Sequence, residues 1–304
     1  MSAPVPVTVI AGPLGSGKTT LVNHILRRTV GHRIAVLVND FGDLDIDAAM
    51  IESAGAETIS LRNGCICCSL GDSLSEGLAA LLRSDQPPDQ ILVEASGVSL
   101  PRGLVGAVGG PGLRLDGIVV MVDAVDVTVR ARDRYVGEAV REQIASADML
   151  VLNKVEEATA DQRRAARALV GALAPAVPML QTAGGAVPLD VLLGPLQPHG
   201  RDRAAPPGPD GHTDLDTASF DSDDPVDAEA LQRWLDELPD GVLRAKGMVR
   251  LAGDPTAVRV VQVVGTRRRL TRADSAAAPA GARLVVIGVP GSLHDELFAP
   301  LAAR

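Results

Sequence analysis

Residues 12–19 constrain the fold more than any other segment of the chain. They read Gly-Pro-Leu-Gly-Ser-Gly-Lys-Thr, which matches the pattern G-x-x-x-x-G-K-[ST]. An aliphatic strand pattern, residues 5–10, precedes them, and a helical pattern, residues 20–28, follows. In this setting the glycines let consecutive backbone N–H groups face one phosphate, and the N-terminus of the helix adds a favourable dipole. The segment therefore predicts a phosphate-binding loop at the start of an α/β domain.

The chain up to residue 194 alternates short aliphatic runs with helical patterns. The runs are continuous rather than alternating in polarity, as expected for parallel strands that are buried on both faces. Such an order predicts an α/β fold: a P-loop NTPase domain with a mostly parallel, doubly wound sheet. The predicted strands are residues 5–10, 34–38, 91–94, 118–122, 149–152 and 177–180. Thr159 and Gln162 form a capping-box signature that predicts the start of one helix.

The sequence changes character after residue 194. Residues 195–217 are rich in Pro, Gly and charge at their start, which predicts an exposed linker. Residues 218–304 then predict a smaller α+β domain. In it, Asp224 is expected to cap a helix whose apolar face includes Trp234, and Ser292 is expected to cap a final helix. Residues 1–194 are the predicted P-loop domain.

Composition and charge argue against several classes of function. Aromatic residues make up 2% of the chain, which leaves no stacking platform for single-stranded nucleic acid, and the net charge of −9 opposes binding to nucleic acid or anionic membranes. No apolar stretch approaches the ~20 residues of a membrane-spanning helix, and the first residues lack the basic region of a signal peptide. We expect a cytoplasmic protein, and a homodimer is left open.

Two segments predict how the chain contacts a triphosphate. Lys18 is expected to reach the β- and γ-phosphates, and the hydroxyl of Thr19 to bind Mg²⁺. Residues 91–97 place Glu94 and Gly97 at the end of a buried strand, where ligands of doubly wound sheets bind. Glu94 is a candidate for positioning Mg²⁺ or water, and the Gly97 amide for sensing the γ-phosphate. The alternative for Glu94 is a strand-end acid that faces solvent. The predicted catalytic residues are Lys18, Thr19, Glu94 and Gly97.

Residues 153–156, Asn-Lys-Val-Glu, resemble the N-K-x-D element by which GTPases read guanine. A carboxylate accepts two hydrogen bonds from the guanine edge, a pattern that adenine cannot offer. The acid here is Glu156 rather than Asp, so the arm is one methylene longer and the base must shift or the loop must relax. We predict GTP, with tolerance of ATP left open. The predicted nucleotide contacts are Gly12, Gly15, Ser16, Gly17, Lys18, Thr19, Thr20, Asn153, Lys154 and Glu156.

All three cysteines of the chain, Cys65, Cys67 and Cys68, lie within four residues. Three thiols at one point form a soft ligand set that suits a thiophilic metal. Convergence on one ion requires a turn, which Gly64 permits, and three thiolates leave a tetrahedral ion one ligand short. Asp40, in a strand-end loop of the same half of the domain, is the candidate fourth ligand. A buried apolar trio and a reactive redox pair are the alternatives.

With these segments identified, the chain resembles the CobW-type metallochaperone GTPases, relatives of the urease and hydrogenase maturation GTPases in the SIMIBI class. The resemblance extends over nearly the whole chain and includes the phosphate loop and residues 38–42, 45–47, 63–68, 94–97, 122–124, 143–145, 153–156 and 244–247. It implies GTP-dependent handling of Zn²⁺ or Co²⁺, with the metal at Cys65, Cys67 and Cys68. The chain departs from the family pattern, which usually has Glu at Asp40, Asp at Glu156 and, in many members, a His-rich linker.

The functional hypothesis is a GTPase that binds one divalent ion at the cysteine cluster and delivers it to a client metalloprotein. Its alternatives are a metal sensor or storage protein whose affinity the nucleotide gates, and a small-molecule or nucleotide kinase with an incidental cysteine cluster. A kinase needs an acceptor pocket and a mobile lid, which the sequence does not indicate. Intrinsic turnover is expected to be slow, because no arginine finger can be picked from the sequence.

Overall fold

The computed structural model describes residues 4–29, 33–40, 57–62, 70–97, 99–193, 215–254, 257–273 and 279–302. The chain divides into two units. The first comprises Met1–Pro175 and Gln181–Leu189, and the second comprises Ala176–Leu180 and Asp190–Arg304. Most of the predicted linker, residues 195–214, lies outside the described residues, so the domain boundaries there stay a prediction.

A seven-stranded sheet dominates the first part of the chain, with strand order β3-β2-β4-β1-β5-β6-β7. The pairs formed among β1 to β6 are parallel. The elements are β1 (Val5–Ala11), α1 (Lys18–Arg28), β2 (Ile34–Asp40), β3 (Glu57–Arg62), α2 (Leu70–Arg83), β4 (Gln90–Glu94), α3 (Pro101–Val108), β5 (Leu113–Asp123), α4 (Val127–Arg130), α5 (Gly137–Ala145), β6 (Met149–Asn153), α6 (Ala160–Leu173), β7 (Met179–Gln181) and α7 (Leu189–Leu193). The predicted α/β fold with a parallel, doubly wound sheet is confirmed.

The strand order reverses at β1, and this reversal positions the site. The neighbours of β1 are β4 on one side and β5 on the other. The chain connections on the two sides of β1 therefore diverge at its carboxyl end and leave a crevice there. Doubly wound sheets bind their ligands in such a crevice. Whatever follows β4 and β5 is thereby placed on opposite sides of the loop that follows β1.

The central strands are buried as the aliphatic runs predict, whereas β3 was not predicted. All five residues of β4 and all five of β6 are buried. By contrast β3 reads Glu-Thr-Ile-Ser-Leu-Arg, without a continuous aliphatic run. It lies at the edge of the sheet, and an edge strand does not need the composition of a strand that is covered on all sides. The pattern for buried parallel strands therefore misses it.

The predicted capping box opens α6. The Thr159 hydroxyl accepts a hydrogen bond from the backbone N–H of Gln162 at 3.2 Å, and the Gln162 side chain accepts one from the backbone N–H of Thr159 at 2.8 Å. Two N–H groups that the helix itself cannot satisfy are thereby bonded. This part of the prediction is confirmed.

A five-stranded antiparallel sheet, with strand order β11-β10-β9-β12-β8, forms the second part of the fold. The elements are β8 (Asp216–Ser222), α8 (Ala228–Asp236), β9 (Val242–Arg250), β10 (Val258–Val264), β11 (Arg267–Ala273), β12 (Ala282–Gly288) and α9 (Ala299–Ala302). Its core is built around Trp234 on α8, which is 1% exposed. The predicted smaller α+β domain is confirmed.

Two predicted helix starts in this part are wrong. Asp227, not Asp224, caps α8, since its carboxylate accepts from the N–H groups of Glu229 and Ala230 at 3.0 and 2.9 Å. Val226 forms a bridge with Leu251, and this pairing keeps the chain extended up to the true cap. The last helix begins at residue 299 rather than after Ser292. The N–H of Ser292 instead donates to the Asp216 carboxylate at 3.1 Å, and turns at residues 295–298 precede the helix.

None of the helices in the described ranges is long and apolar enough to cross a membrane.

Candidate nucleotide-binding site

The phosphate loop connects β1 to α1 and has the backbone of a cradle. Gly12, Gly15 and Gly17 have φ values of 138°, 78° and 101°, a region that favours glycine. At Gly12 a side chain is excluded on a second ground, because a Cβ atom there would lie 2.1 Å from the carbonyl oxygen of Met121 on β5. The loop thus lies directly against the neighbouring strand, with its backbone shaped to present N–H groups.

Lys18, at the start of α1, is 6% exposed. Its ammonium donates hydrogen bonds to the carbonyl oxygens of Gly12 at 3.0 Å and Pro13 at 3.2 Å. A buried charge is costly unless opposing charge or dipoles compensate it, and here loop carbonyls do so. The loop therefore holds a positive charge at its centre, where phosphate oxygens would be attracted.

Thr19 and Glu94 are brought together from different elements. The Thr19 hydroxyl donates to Oε1 of Glu94 at 2.7 Å, and Glu94 ends β4 in register with Ile10 of β1. Glu94 is 2% exposed, so the alternative that it faces solvent is wrong. A hydroxyl and a carboxylate beside a phosphate loop are hard oxygen ligands of the kind that Mg²⁺ takes. The pair fits the predicted Mg²⁺ site.

Gly97 lies against the phosphate loop. A Cβ atom at Gly97 would be 2.7 Å from the backbone nitrogen of Leu14, so only glycine permits this approach. The segment after β4 is thus within contact distance of the phosphate loop. A segment that senses a bound phosphate must lie this close.

Gln143 on α5 fixes the position of that segment, and sequence reasoning missed this role. Gln143 is fully buried, and its amide nitrogen donates to the carbonyl oxygens of Gly97 at 3.2 Å and Ser99 at 2.9 Å. The sequence does carry one sign of this role: Gln143 is a polar residue on the helix face that Val140 and Ile144 mark as buried. A buried amide must bond somewhere, but the pattern could not show where.

Asn153 ends β6 and ties three segments together. Its amide nitrogen donates to the carbonyl oxygen of Ser16 at 2.9 Å. Its amide oxygen accepts from the Thr182 hydroxyl at 3.1 Å and from the N–H of Gly185 at 2.8 Å. Asn153 is 2% exposed, so it links the phosphate loop to residues 182–185 from within the protein.

The neighbours of Asn153 complete the far side of the site. Lys154 has a positive φ of 57°, and its ammonium bonds to the carboxylate of Asp123, at the end of β5, at 2.6 Å. This hydrogen bond raises the pKa of Lys154. Glu156 accepts from the N–H of Gly184 at 3.0 Å. Its carboxylate therefore lies beside residues 182–185, and a base read by Glu156 would bind next to that loop.

Thr20 is exposed on α1 and shares a cavity with Gly184. The cavity has a volume of about 400 Å³ and is lined by Thr20, Asn23, His24, Arg27, Arg28 and Gly184. Thr20, a predicted nucleotide contact, and Gly184, whose N–H donates to Glu156, thus line the same cavity.

The predicted metal ligands are not described at the level of side chains. Cys65, Cys67 and Cys68 lie outside the described residues, as does the side chain of Asp40. In the described parts of the chain, no cluster of three or more His, Cys, Asp or Glu residues could hold a metal ion. The backbone of Asp40 is placed, however, as the last residue of β2 and opposite Arg62 of β3.

Comparison with known proteins agrees with this arrangement. Residues 6–181 match the family described as "CobW/HypB/UreG, nucleotide-binding domain". The chain belongs to the CobW/HypB/UreG family. Residues 215–303 match the "Cobalamin synthesis protein cobW C-terminal domain", so the resemblance drawn from the motifs is confirmed.

Relatives of this CobW/HypB/UreG protein cover nearly its full length. A Sinorhizobium protein named "Zinc chaperone CobW" is 32% identical, over 96% of this chain and 93% of its own. A Pseudomonas aeruginosa protein of the same name is 35% identical, over 94% of this chain and 88% of its own. The crystal structure of Zn(II)-bound YjiA GTPase from Escherichia coli covers 99% of this chain and 100% of its own, with 23% identity and a TM-score of 0.49.

Proposed function

We propose that this protein is a GTP-hydrolysing metallochaperone, which binds one thiophilic divalent ion, Zn²⁺ or Co²⁺, at Cys65, Cys67 and Cys68 and passes it to a client metalloprotein. The observation that carries the proposal is the register of β3, β2 and β4, in which β2 pairs on one side with Arg62, three residues before Cys65 in the sequence, and on the other with Glu94. The relatives named as zinc chaperones favour zinc as the metal.

The nucleotide half of the proposal rests on the loop and the residues around it. Lys18 is buried within the loop and would neutralise the β- and γ-phosphates. Thr19 and Glu94 would hold Mg²⁺, which supplies charge neutralisation between the phosphates. The Gly97 segment, fixed by Gln143 and adjacent to Leu14, would sense whether a γ-phosphate is present.

The metal half rests on strand register. Asp40 pairs opposite Arg62, and Cys65 follows Arg62 by three residues, a stretch of chain that spans at most about 10 Å. On the other side of β2, Val38 pairs opposite Glu94. Asp40 therefore ends a strand that lies between β3, which precedes the cysteines in the sequence, and β4, which carries Glu94.

This order of strands gives the two sites a route for coupling. A bound triphosphate that orders the segments after β2 and β4 would also change the positions of the neighbouring metal ligands. Hydrolysis would then release both segments from that ordered state. By thermodynamic reciprocity, a nucleotide that tightens metal binding is itself bound more tightly when metal is present. Such coupling is what distinguishes delivery from passive metal binding.

The test of this function is metal affinity in three nucleotide states. We expect affinity for Co²⁺ or Zn²⁺ to be tighter with Mg²⁺ and a non-hydrolysable GTP analogue than with GDP, by about 5- to 150-fold, the usual range of such couplings. Competition with a chelator of known affinity measures the metal affinity in each state. In a second assay, a metal-loaded sample receives Mg²⁺ and hydrolysable GTP, and an apo zinc enzyme serves as the acceptor for metal released on hydrolysis.

Each alternative function has its own outcome in that experiment. Equal affinity in the nucleotide-free, GTP and GDP states contradicts delivery. Nucleotide-dependent affinity without transfer to any acceptor indicates a sensor or storage protein. Phosphate that passes to a second substrate instead of water indicates a kinase.

Nucleotide choice supplies a separate prediction at Glu156. Glu156→Ala should weaken GTP binding by roughly 2–4 kcal/mol and barely change ATP binding, because a charge-assisted pair of hydrogen bonds to guanine is lost. Titration with fluorescent nucleotide analogues, with unlabelled GTP and ATP as competitors, measures both affinities.

Glu156→Gln is the matched control for this prediction. Glutamine retains an oxygen that can accept from the N–H of Gly184, the bond that glutamate makes at 3.0 Å, but its amide donates where guanine also donates. We therefore expect weaker GTP binding and a gain for XTP, whose base carries an acceptor at that position. Unchanged GTP affinity in both variants would mean that Glu156 does not read the base.

A further inference from the structure

An arginine lies beside the phosphate loop on an element that the motifs do not mark. The short helix α4 follows the carboxyl end of β5, and β5 pairs with β1 up to Ala11, opposite Val120. From the end of α4, Nη2 of Arg130 reaches to 3.9 Å from the point that a Cβ atom on Gly15 would occupy. A guanidinium group is thus adjacent to the loop, on its β5 side.

The arginine is held in place by its own helix. Nε of Arg130 donates to the carboxylate of Asp126, one turn earlier, and the backbone N–H of Arg130 donates to the carbonyl oxygen of Asp126 at 2.9 Å. Arg141 of α5 anchors the end of α4 through the carbonyl oxygen of Ala131. Among the described residues, neither terminal nitrogen of Arg130 donates a hydrogen bond to protein. The guanidinium is oriented through Nε and retains its terminal donors.

We propose that Arg130 binds the polyphosphate of the nucleotide, in cis, as a second cation beside Lys18. This inference rests on the proposed GTPase function and adds a residue to it. A guanidinium group donates in a planar fork that matches phosphate oxygens. Lys18 is buried within the loop, whereas Arg130 approaches from outside and is partly exposed, so the two cations flank a bound phosphate chain.

The strand order assigns Arg130 to the phosphates that GDP and GTP share. Glu94 and Gly97 follow β4, and Arg130 follows β5, on the opposite side of β1. If Mg²⁺ and the γ-phosphate bind on the β4 side, Arg130 contacts the phosphates that remain after hydrolysis. It therefore contributes to binding of substrate and product alike, and not selectively to the transition state.

The experiment compares wild type, Arg130→Gln, Arg130→Lys and, as control, Arg132→Gln, which changes an exposed arginine of the same segment. We expect Arg130→Gln to weaken both GDP and GTP by about tenfold, the size of a charge-assisted hydrogen bond. KM should rise with kcat unchanged, and Arg130→Lys should recover part of the affinity. Arg132→Gln should stay within twofold of wild type for both nucleotides.

Two results would overturn the assignment. GDP and GTP affinities of Arg130→Gln within twofold of wild type would show that the arginine does not touch the nucleotide. A fall in kcat with GDP affinity unchanged would place it at the γ-phosphate instead. Absence of nucleotide binding by the wild-type protein would contradict the proposed function itself. This outcome differs from the two results above, which concern the Arg130 variant alone. Because the ion pair with Asp126 is partly exposed, its loss should cost little stability, and the melting temperature checks this.

Discussion

Lys18→Ala should abolish GTP hydrolysis, lowering kcat/KM by at least about 100-fold, the loss seen when one preorganised electrostatic donor is removed from an active site. The ammonium is buried in the loop and bonded to the carbonyl oxygens of Gly12 and Pro13. Its removal deletes the positive charge that we propose neutralises the β- and γ-phosphates. Release of inorganic phosphate under single-turnover conditions, together with GTP affinity, measures the effect.

The same substitution should leave the fold and the metal segment intact. The carbonyl oxygens of Gly12 and Pro13 lose the ammonium as a donor, and water can replace it there. Lys18→Met is the matched control, since it keeps most of the length of the side chain and removes the charge, and it should behave like the alanine variant. Hydrolysis within threefold of wild type in either variant would contradict the role assigned to Lys18. An unchanged Co²⁺ spectrum would show that the loss is confined to the nucleotide site.

The parts of the fold that were predictable are those fixed by local pattern. Continuous aliphatic runs located the buried strands β4 and β6, and the capping box located the start of α6. The edge strand β3 and the start of α8 at Asp227 were not predicted, because tertiary pairing decides both. Val226 could have begun a helix by composition, but its bridge to Leu251 holds it extended.

The candidate site divides in the same way. Thr19 and Glu94 were predicted for one site from a motif and from the rule that ligands bind at strand ends, and they are hydrogen bonded. Gln143 and Arg130 were not predicted to act there, because each reaches the site from a helix whose position depends on the packing of the whole unit. Nothing in the local sequence around Arg130 distinguishes it from the exposed Arg132 two residues later.

The cysteines allow the sharpest spectroscopic prediction. They are the three thiols of the chain, so any thiolate-to-metal charge-transfer band in a Co²⁺-loaded sample must arise from them. If one ion binds all three, each of Cys65→Ser, Cys67→Ser and Cys68→Ser should reduce the band. Each should also weaken Co²⁺ affinity by at least about tenfold, since even loss of a residue that only supports a ligand costs that much.

The pattern among the three variants separates the alternatives. A redox pair would make two of the variants differ from the third, and an apolar trio would give no charge-transfer band in the wild-type protein. Titration with Co²⁺ under reducing conditions, followed by absorption spectroscopy, decides between them. A full-strength band in any single variant would remove that cysteine from the metal site.

Asp40 connects this prediction to the nucleotide. Because Asp40 pairs opposite Arg62 on one side of β2 while Val38 pairs opposite Glu94 on the other, we expect Asp40→Ala to reduce the coupling between GTP and metal more than it reduces either affinity alone. If Asp40→Ala weakens Co²⁺ binding but leaves the coupling between GTP and metal unchanged, Asp40 is a metal ligand without a role in the coupling. Loss of a simple ligand weakens metal binding in every nucleotide state by the same factor. The ratio of the metal affinities with GTP and with GDP, and not either affinity by itself, therefore reports whether β2 couples hydrolysis to metal binding.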